Sequence, residues 1–75
     1  MKEPRNQINL QDNFLNKVRK DESVIKIILV GGDAVKGKII GFDSFVIILD
    51  SGESDVMIYK HSIAAILPEN QFKLF

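Results

Sequence analysis

The sequence predicts a mostly β domain with a single N-terminal α-helix, its strands forming a strongly bent five-stranded antiparallel sheet. Three observations point there. Apolar residues recur at helical spacing in one segment only, "LQDNFLNKVRK". From Ser23 onward the period falls to two and the residues become β-branched, as strands require. The stretches between those runs are short and rich in Gly, Asp and Ser, the residues of tight turns.

The elements follow in order. Residues 1–8, "MKEPRNQI", contain Pro4 and no periodicity, and read as a loose tail. A helix is expected over about 9–20: Asn9 is a good N-cap, Asp12 sits near the positive end of the helix dipole, and Leu10, Phe14, Leu15 and Val18 share one stripe. Gln11 falls inside that stripe, where a polar amide must find a partner if it is buried. Strands are expected over about 24–31, 34–43, 45–50, 55–60 and 63–67, joined as a meander with turns at "GGD" and "DSGES". In the second strand Val35, Gly37 and Ile39 face one way and Lys36 and Lys38 the other, until apolar Ile40 and Phe42 appear on the wrong parity. With Gly37 and Gly41 available for tight bends, that break predicts a curved strand that crosses from one side of a small barrel to another. "FVIIL" is apolar on both faces and should be covered on both. The domain thus spans 9–68, and "ENQFKLF", residues 69–75, makes a short tail whose Phe72, Leu74 and Phe75 either dock or fray.

A 75-residue chain buries only about 60% of its unfolded surface, so it needs a further source of stability. Zero Cys and one His leave little for disulfides or a metal, which makes oligomerisation the expected source. "DVMIYK" and "IAAIL" are too apolar to stand as sheet edges in water, and pairing one with the other head to tail closes a ring. The cysteine count and the lack of a signal-like segment fit a cytoplasmic setting, and "IILV" and "FVIIL" are too short to cross a bilayer. Ten basic and ten acidic residues cancel, which excludes a histone-like blanket of positive charge. Charge is nonetheless uneven: Lys17, Arg19, Lys20, Lys26, Lys36 and Lys38 precede an acidic stretch of Asp43, Asp50, Glu53 and Asp55.

"LQDNFLN", "GFDSF" and "YKH", in this order on a short helix and a bent five-stranded sheet, resemble the Sm-like family and, within it, the bacterial Hfq RNA chaperones. The match runs from Leu10 to about Pro68. The resemblance implies a homohexameric ring that binds uridine-rich single-stranded RNA around its pore, on the face that carries the helices. Carried over by motif, Phe45 is the platform on which uracil stacks, with Ser44 beside it. Lys60 and Gln11 hydrogen-bond the uracil carbonyl edge, His61 lines the pore, and Tyr59 packs at the subunit junction. The chemistry is coherent in its own right, because unstacked bases and phosphates call for an aromatic face, fixed donors and positive charge. Read without the resemblance, Phe45 is a core residue and His61 a structural hydrogen-bonder.

On the opposite face the resemblance implies an adenine-binding surface at Ile28, Gly31, Gly32, Asp33, Ala34 and Lys36. Ile28 stands where an aromatic residue is frequent and Asp33 repels phosphate, and the glycines read equally well as turn formers. A basic rim is implied at Asn16, Arg19 and Lys20 with Phe42 nearby, diluted by Asp21 and Glu22. The implied partners are small regulatory RNAs and messenger RNA, brought together by the ring without any cofactor.

Catalysis finds little support. The chain has no Cys, no second His, no Gly-rich phosphate loop and no carboxylate pair spaced for a shared site. Asp43 reads as a turn anchor rather than a buried acid. The competing reading is an Sm-like ring that serves structure or protein contacts and has weak or lost RNA binding. A monomeric cold-shock-like barrel is disfavoured, since five Phe and one Tyr stand mostly at core-like positions.

Overall fold

Asn9 opens the helix by a side-chain cap: its Oδ1 accepts the backbone N–H of Asp12 at 3.1 Å, satisfying an amide that has no partner inside the helix. Helix α1 spans Leu10–Lys20 in the computed structural model, which describes residues 9–69. The tail expected over residues 1–8, and Phe72, Leu74 and Phe75, lie outside the described residues. Asp12 in the first turn and Lys17, Arg19 and Lys20 in the last each sit at the dipole end that favours their sign. The helix stops in a Schellman arrangement, with Ser23 N–H donating to Val18 C=O and Glu22 N–H to Arg19 C=O, both at 3.1 Å. Glu22 takes the left-handed position at φ 54°, where glycine is usual and a side chain costs roughly 1 to 2 kcal/mol.

The strands are β1 Val24–Leu29, β2 Ala34–Phe42, β3 Val46–Asp50, β4 Asp55–Tyr59 and β5 Ile63–Pro68. β1 stops two residues before its expected end because Gly32 N–H bonds back to Leu29 C=O at 2.8 Å, turning the chain through Val30 and Gly31. Gly32 there has φ 102°, and Gly52 in the β3–β4 turn has φ 96°, conformations that glycine adopts without strain. Lys60, expected in the fourth strand, instead begins a 3₁₀ turn over Lys60–Ser62.

The meander expectation holds for four strands and fails for the fifth. The sheet order is β4-β3-β2-β1-β5, all neighbours antiparallel, so β5 leaves β4 and pairs with β1. Four strand spacings in a flat sheet are about 19 Å, whereas a three-residue 3₁₀ link reaches roughly 8 Å. The sheet must therefore curl until its two ends nearly meet, which is the strong bend that the sequence predicted. β4 and β5 are its edges, the two segments whose apolar character is at odds with an edge left in water.

The bend has a local cause. In the β2–β3 register Ile39 faces Leu49 and Gly41 faces Ile48, leaving Ile40 as the extra residue of a bulge. That single insertion explains the broken parity: Phe42 now pairs with Ile47, which is fully buried, while bulged Ile40 is half exposed. Gly37 has a different task. A Cβ there would run into the backbone carbonyl of Asp50 and the Leu49 side chain, so the close approach of β2 to β3 requires glycine.

Leu15 and Val18 from α1 close the concave side of the sheet over Ile25, Ile27, Ile39, Ile47, Leu49 and Ile58, one buried cluster. Each fully buried aliphatic contributes about 1.5 to 3 kcal/mol. Leu10 does not join them. Sitting in the first helical turn it is 55% exposed, and with Phe14, Ile63, Ala64 and Ile66 it lines an apolar groove of about 490 Å³ between α1 and edge strand β5. "FVIIL" is covered on its inner face only, with Val46 and Ile48 half-buried outside. Among the described residues no helix is long and apolar enough to cross a membrane.

Candidate functional site

The short connection between β2 and β3 is built around one carboxylate. Asp43 Oδ1 accepts the backbone N–H groups of Phe45 at 2.8 Å and Val46 at 2.9 Å, while Asp43 N–H donates to Val46 C=O at 3.0 Å. This realises the anchoring role read for Asp43 and leaves the Phe45 ring no core to enter: it is 74% exposed, with Ser44 exposed beside it. The two backbone N–H bonds, and to a lesser extent the Lys60 charge, hold the Asp43 carboxyl below its ordinary value of 3.8.

A depressed pKa in the folded state means that this stabilisation is complete above the ordinary carboxylate range and is lost as pH falls through the depressed value. Asp43→Ala is therefore expected to lower the thermal midpoint at about pH 7, and the gap from the parent should shrink at about pH 3, below the ordinary carboxylate value, where the unfolded chain already gains the proton. Thermal denaturation of both proteins at the two pH values reads it, and a gap that widens on acidification contradicts the assignment.

Register then brings the end of β4 to this turn. Val46 pairs with Tyr59, and Lys60 N–H donates to Phe45 C=O at 2.8 Å, so the backbone of the lysine is tied to the turn that exposes Phe45. Its Nζ donates to Gln11 Oε1 at 2.7 Å, a contact between residues 49 apart in sequence. The amide that looked misplaced on the helix stripe thus has its partner at the surface. An ammonium only donates, so the Gln11 oxygen is the atom it engages and the Gln11 NH₂ is left to donate elsewhere. Gln11, Lys60, Leu15, Ile47, Ile63 and Ile66 line a cleft of about 150 Å³ that presents donors above an apolar floor. Tyr59 and His61, both exposed, stack on each other with ring centroids 5.9 Å apart and planes 26° apart. Tyr59 is the extended residue that precedes the 3₁₀ turn, and His61 lies within that turn.

Phe42, read with the rim, lies instead against the same lysine, whose Nζ is 5.4 Å from its ring centroid. No spacing in the sequence signals that contact. The other rim residues are exposed on the outer side of α1: Arg19 donates to Asn16 Oδ1 at 3.1 Å, Lys20 points to solvent, and Lys17 pairs with Asp21 at 3.3 Å.

The residues expected on the opposite face do gather at the far end of the β1–β2 hairpin. Ile28 pairs with Ala34, and Lys26 with Lys36, on the side of β1 away from buried Ile25 and Ile27, with Gly31, Gly32 and Asp33 in the turn. Ile28 is half-buried, and Lys36 is engaged by an ion pair with Glu69. Among the described residues no cluster of three or more His, Cys, Asp or Glu is placed to hold a metal ion.

Known proteins resemble this chain in sequence and in fold. The chain is 49% identical over 65 residues to the RNA-binding protein Hfq of Carboxydothermus hydrogenoformans, covering 87% of this chain and 76% of that one. It is 53% identical over 64 residues to the RNA-binding protein Hfq of Alkaliphilus metalliredigens, covering 85% and 80%. Among solved structures, a 1.55 Å crystal structure of the pleiotropic translational regulator Hfq superimposes with a TM-score of 0.76 at 29% identity, over 79% of this chain and 98% of that one. An Hfq protein from Anabaena sp. gives 0.73 at 25% identity, over 79% and 95%. The family model described as Hfq protein matches residues 10–73, a span that takes in the capped helix, the bulged sheet and the Lys60–Gln11 contact alike, and the chain belongs to the Hfq family.

Proposed function

We propose that this chain is an RNA-binding chaperone that assembles as a homohexameric ring and holds uridine-rich single-stranded RNA around the pore on its helix side. One observation carries the reading: an ammonium fixed at 2.7 Å on Gln11 Oε1, on a lysine whose backbone N–H bonds to the carbonyl of Phe45, a phenylalanine left 74% exposed by its own turn. Phe45 offers the stacking plane. The free N–H groups of Lys60 and the NH₂ of Gln11 offer donors to a base edge that presents carbonyl oxygens, which uracil does and which the amino group of cytosine opposes. Tyr59 and His61 flank the site toward the neighbouring subunit and the pore, and Ser44 borders the stacked base.

A single stack is worth only about 1 to 3 kcal/mol, so useful affinity needs several sites acting on one strand. The ring supplies them if edge β4 of one subunit pairs with edge β5 of the next, covering the apolar groove beside Leu10. Held there by its uridine-rich end, a small RNA meets a messenger bound elsewhere on the ring, in a cytoplasmic setting. Arg19 and Lys20 supply a modest rim charge that screens repulsion between the two strands. The adenine side has less to work with: Ile28 lacks a stacking face, Lys36 is engaged by Glu69, and Asp33 adds a negative charge.

Competition between oligouridine and oligoadenine, measured by fluorescence anisotropy at two salt concentrations, tests the assignment. Oligouridine is expected to bind more tightly at both, with a shallow salt slope because the pocket grips bases more than phosphates. The net charge of zero favours the second reading, a ring without RNA, and failure of both oligonucleotides to bind at either salt selects it.

A further inference from the structure

Phe42 is brought to the uridine pocket by the β2 bulge. Without the extra residue at Ile40 its side chain would point to the outer face; with it, Phe42 pairs with Ile47, whose side chain lines the Gln11–Lys60 cleft. The half-buried ring packs against the core cluster and its face lies 5.4 Å from Lys60 Nζ, while that nitrogen also donates to Gln11 Oε1. A lysine side chain has four flexible bonds and a point charge, so one hydrogen bond leaves it free to swing. A fixed aromatic face on a second side narrows that freedom, because the electron-rich ring attracts the ammonium without using any of its N–H groups. The donors needed for a base stay available.

We infer that Phe42 is a positioning residue for the uridine pocket, holding the Lys60 ammonium through a cation–π contact; this rests on the uridine reading of that pocket. The contact sets the height of the charge above the cleft and ties the strand kink to base recognition. Phe42 therefore acts on the pocket through Lys60.

The test varies the ring face while keeping its shape. Pentafluorophenylalanine at position 42 preserves the packing and reverses the ring quadrupole, and Phe42→Leu removes the aromatic face altogether. Both are expected to weaken oligouridine binding about fivefold, with oligoadenine binding unchanged and Phe42→Tyr close to the parent. In a Lys60→Ala background neither change should weaken oligouridine further. The fluorinated protein keeps the test decisive if Phe42→Leu fails to fold. Parent-like oligouridine affinity with the fluorinated ring, or an equal loss in the Lys60→Ala background, overturns the inference. A Lys60→Ala protein that binds oligouridine normally removes the pocket itself, whereas an unaffected fluorinated protein beside an inactive Lys60→Ala removes only the role of Phe42.

Discussion

Lys60→Ala is expected to lower oligouridine affinity by at least about a hundredfold while leaving the fold and the oligoadenine affinity as they were. A hydrogen bond from a charged donor contributes about 1.5 to 3 kcal/mol, and a strand that spans two or more sites loses that amount at each. Two sites alone give about 3 kcal/mol, or roughly two decades in Kd. The fold has little at stake. The Lys60 side chain touches Gln11 at the surface and the Phe42 face, its charge is the least of the causes that act on Asp43, and its structural bond, the backbone N–H to Phe45 C=O, survives the change. Anisotropy titrations with labelled oligouridine and oligoadenine separate this from a general loss of charge, since the removal of one cation per subunit from a common electrostatic field weakens both. Equal weakening places Lys60 in the background field rather than in a base pocket.

What could be read from the chain depended on the distance over which each signal acts. The Asn9 cap and the Leu15–Val18 face of the helix were legible because capping and amphipathic spacing are local. So was the curvature of β2: the broken parity at Ile40 and Phe42 is a bulge written directly in the side-chain pattern. The placement of β5 beside β1 was not, because hairpin-length links favour a neighbouring partner and only the closing of the whole sheet decides otherwise. Gly37 looked like a bend residue and is a spacer against the Asp50 carbonyl, a property of the facing strand and not of its own. The candidate site divides the same way. Asp43 announced its turn within four residues, but the meeting of Gln11 with Lys60 spans 49 positions and came only through resemblance. The contact of Phe42 with Lys60 had no such guide, since it depends on a one-residue register shift and a 3₁₀ turn acting together.

That dependence on three-dimensional closure extends to the assembly, where the largest effect is expected from Met57→Asp. Met57 lies mid-strand on edge β4 and is 56% exposed in the single chain, so the subunit fold does not need it. In a ring closed by β4–β5 pairing the same side chain is expected to be covered at every seam. Its burial is worth about 1.5 to 3 kcal/mol per seam, and an aspartate there must instead be desolvated without a partner, which costs more. Repeated around a closed ring, this penalty is expected to shift the protein from about six times the 8.5 kDa chain mass to the single chain. Light scattering coupled to size exclusion reads the mass, and far-ultraviolet circular dichroism confirms that the strands remain. Oligouridine affinity should fall with the mass by two orders of magnitude or more, because separated subunits lose the effective concentration that links one pocket to the next. A parent that elutes as a single chain and still binds oligouridine tightly contradicts the ring. A Met57→Asp protein that keeps the parent mass instead places the seam on some surface other than the outer side of β4. The pairing of these two readouts matters because the Gln11–Lys60 contact within one chain offers a base only a few weak interactions, so tight binding is expected only where such contacts repeat around a ring.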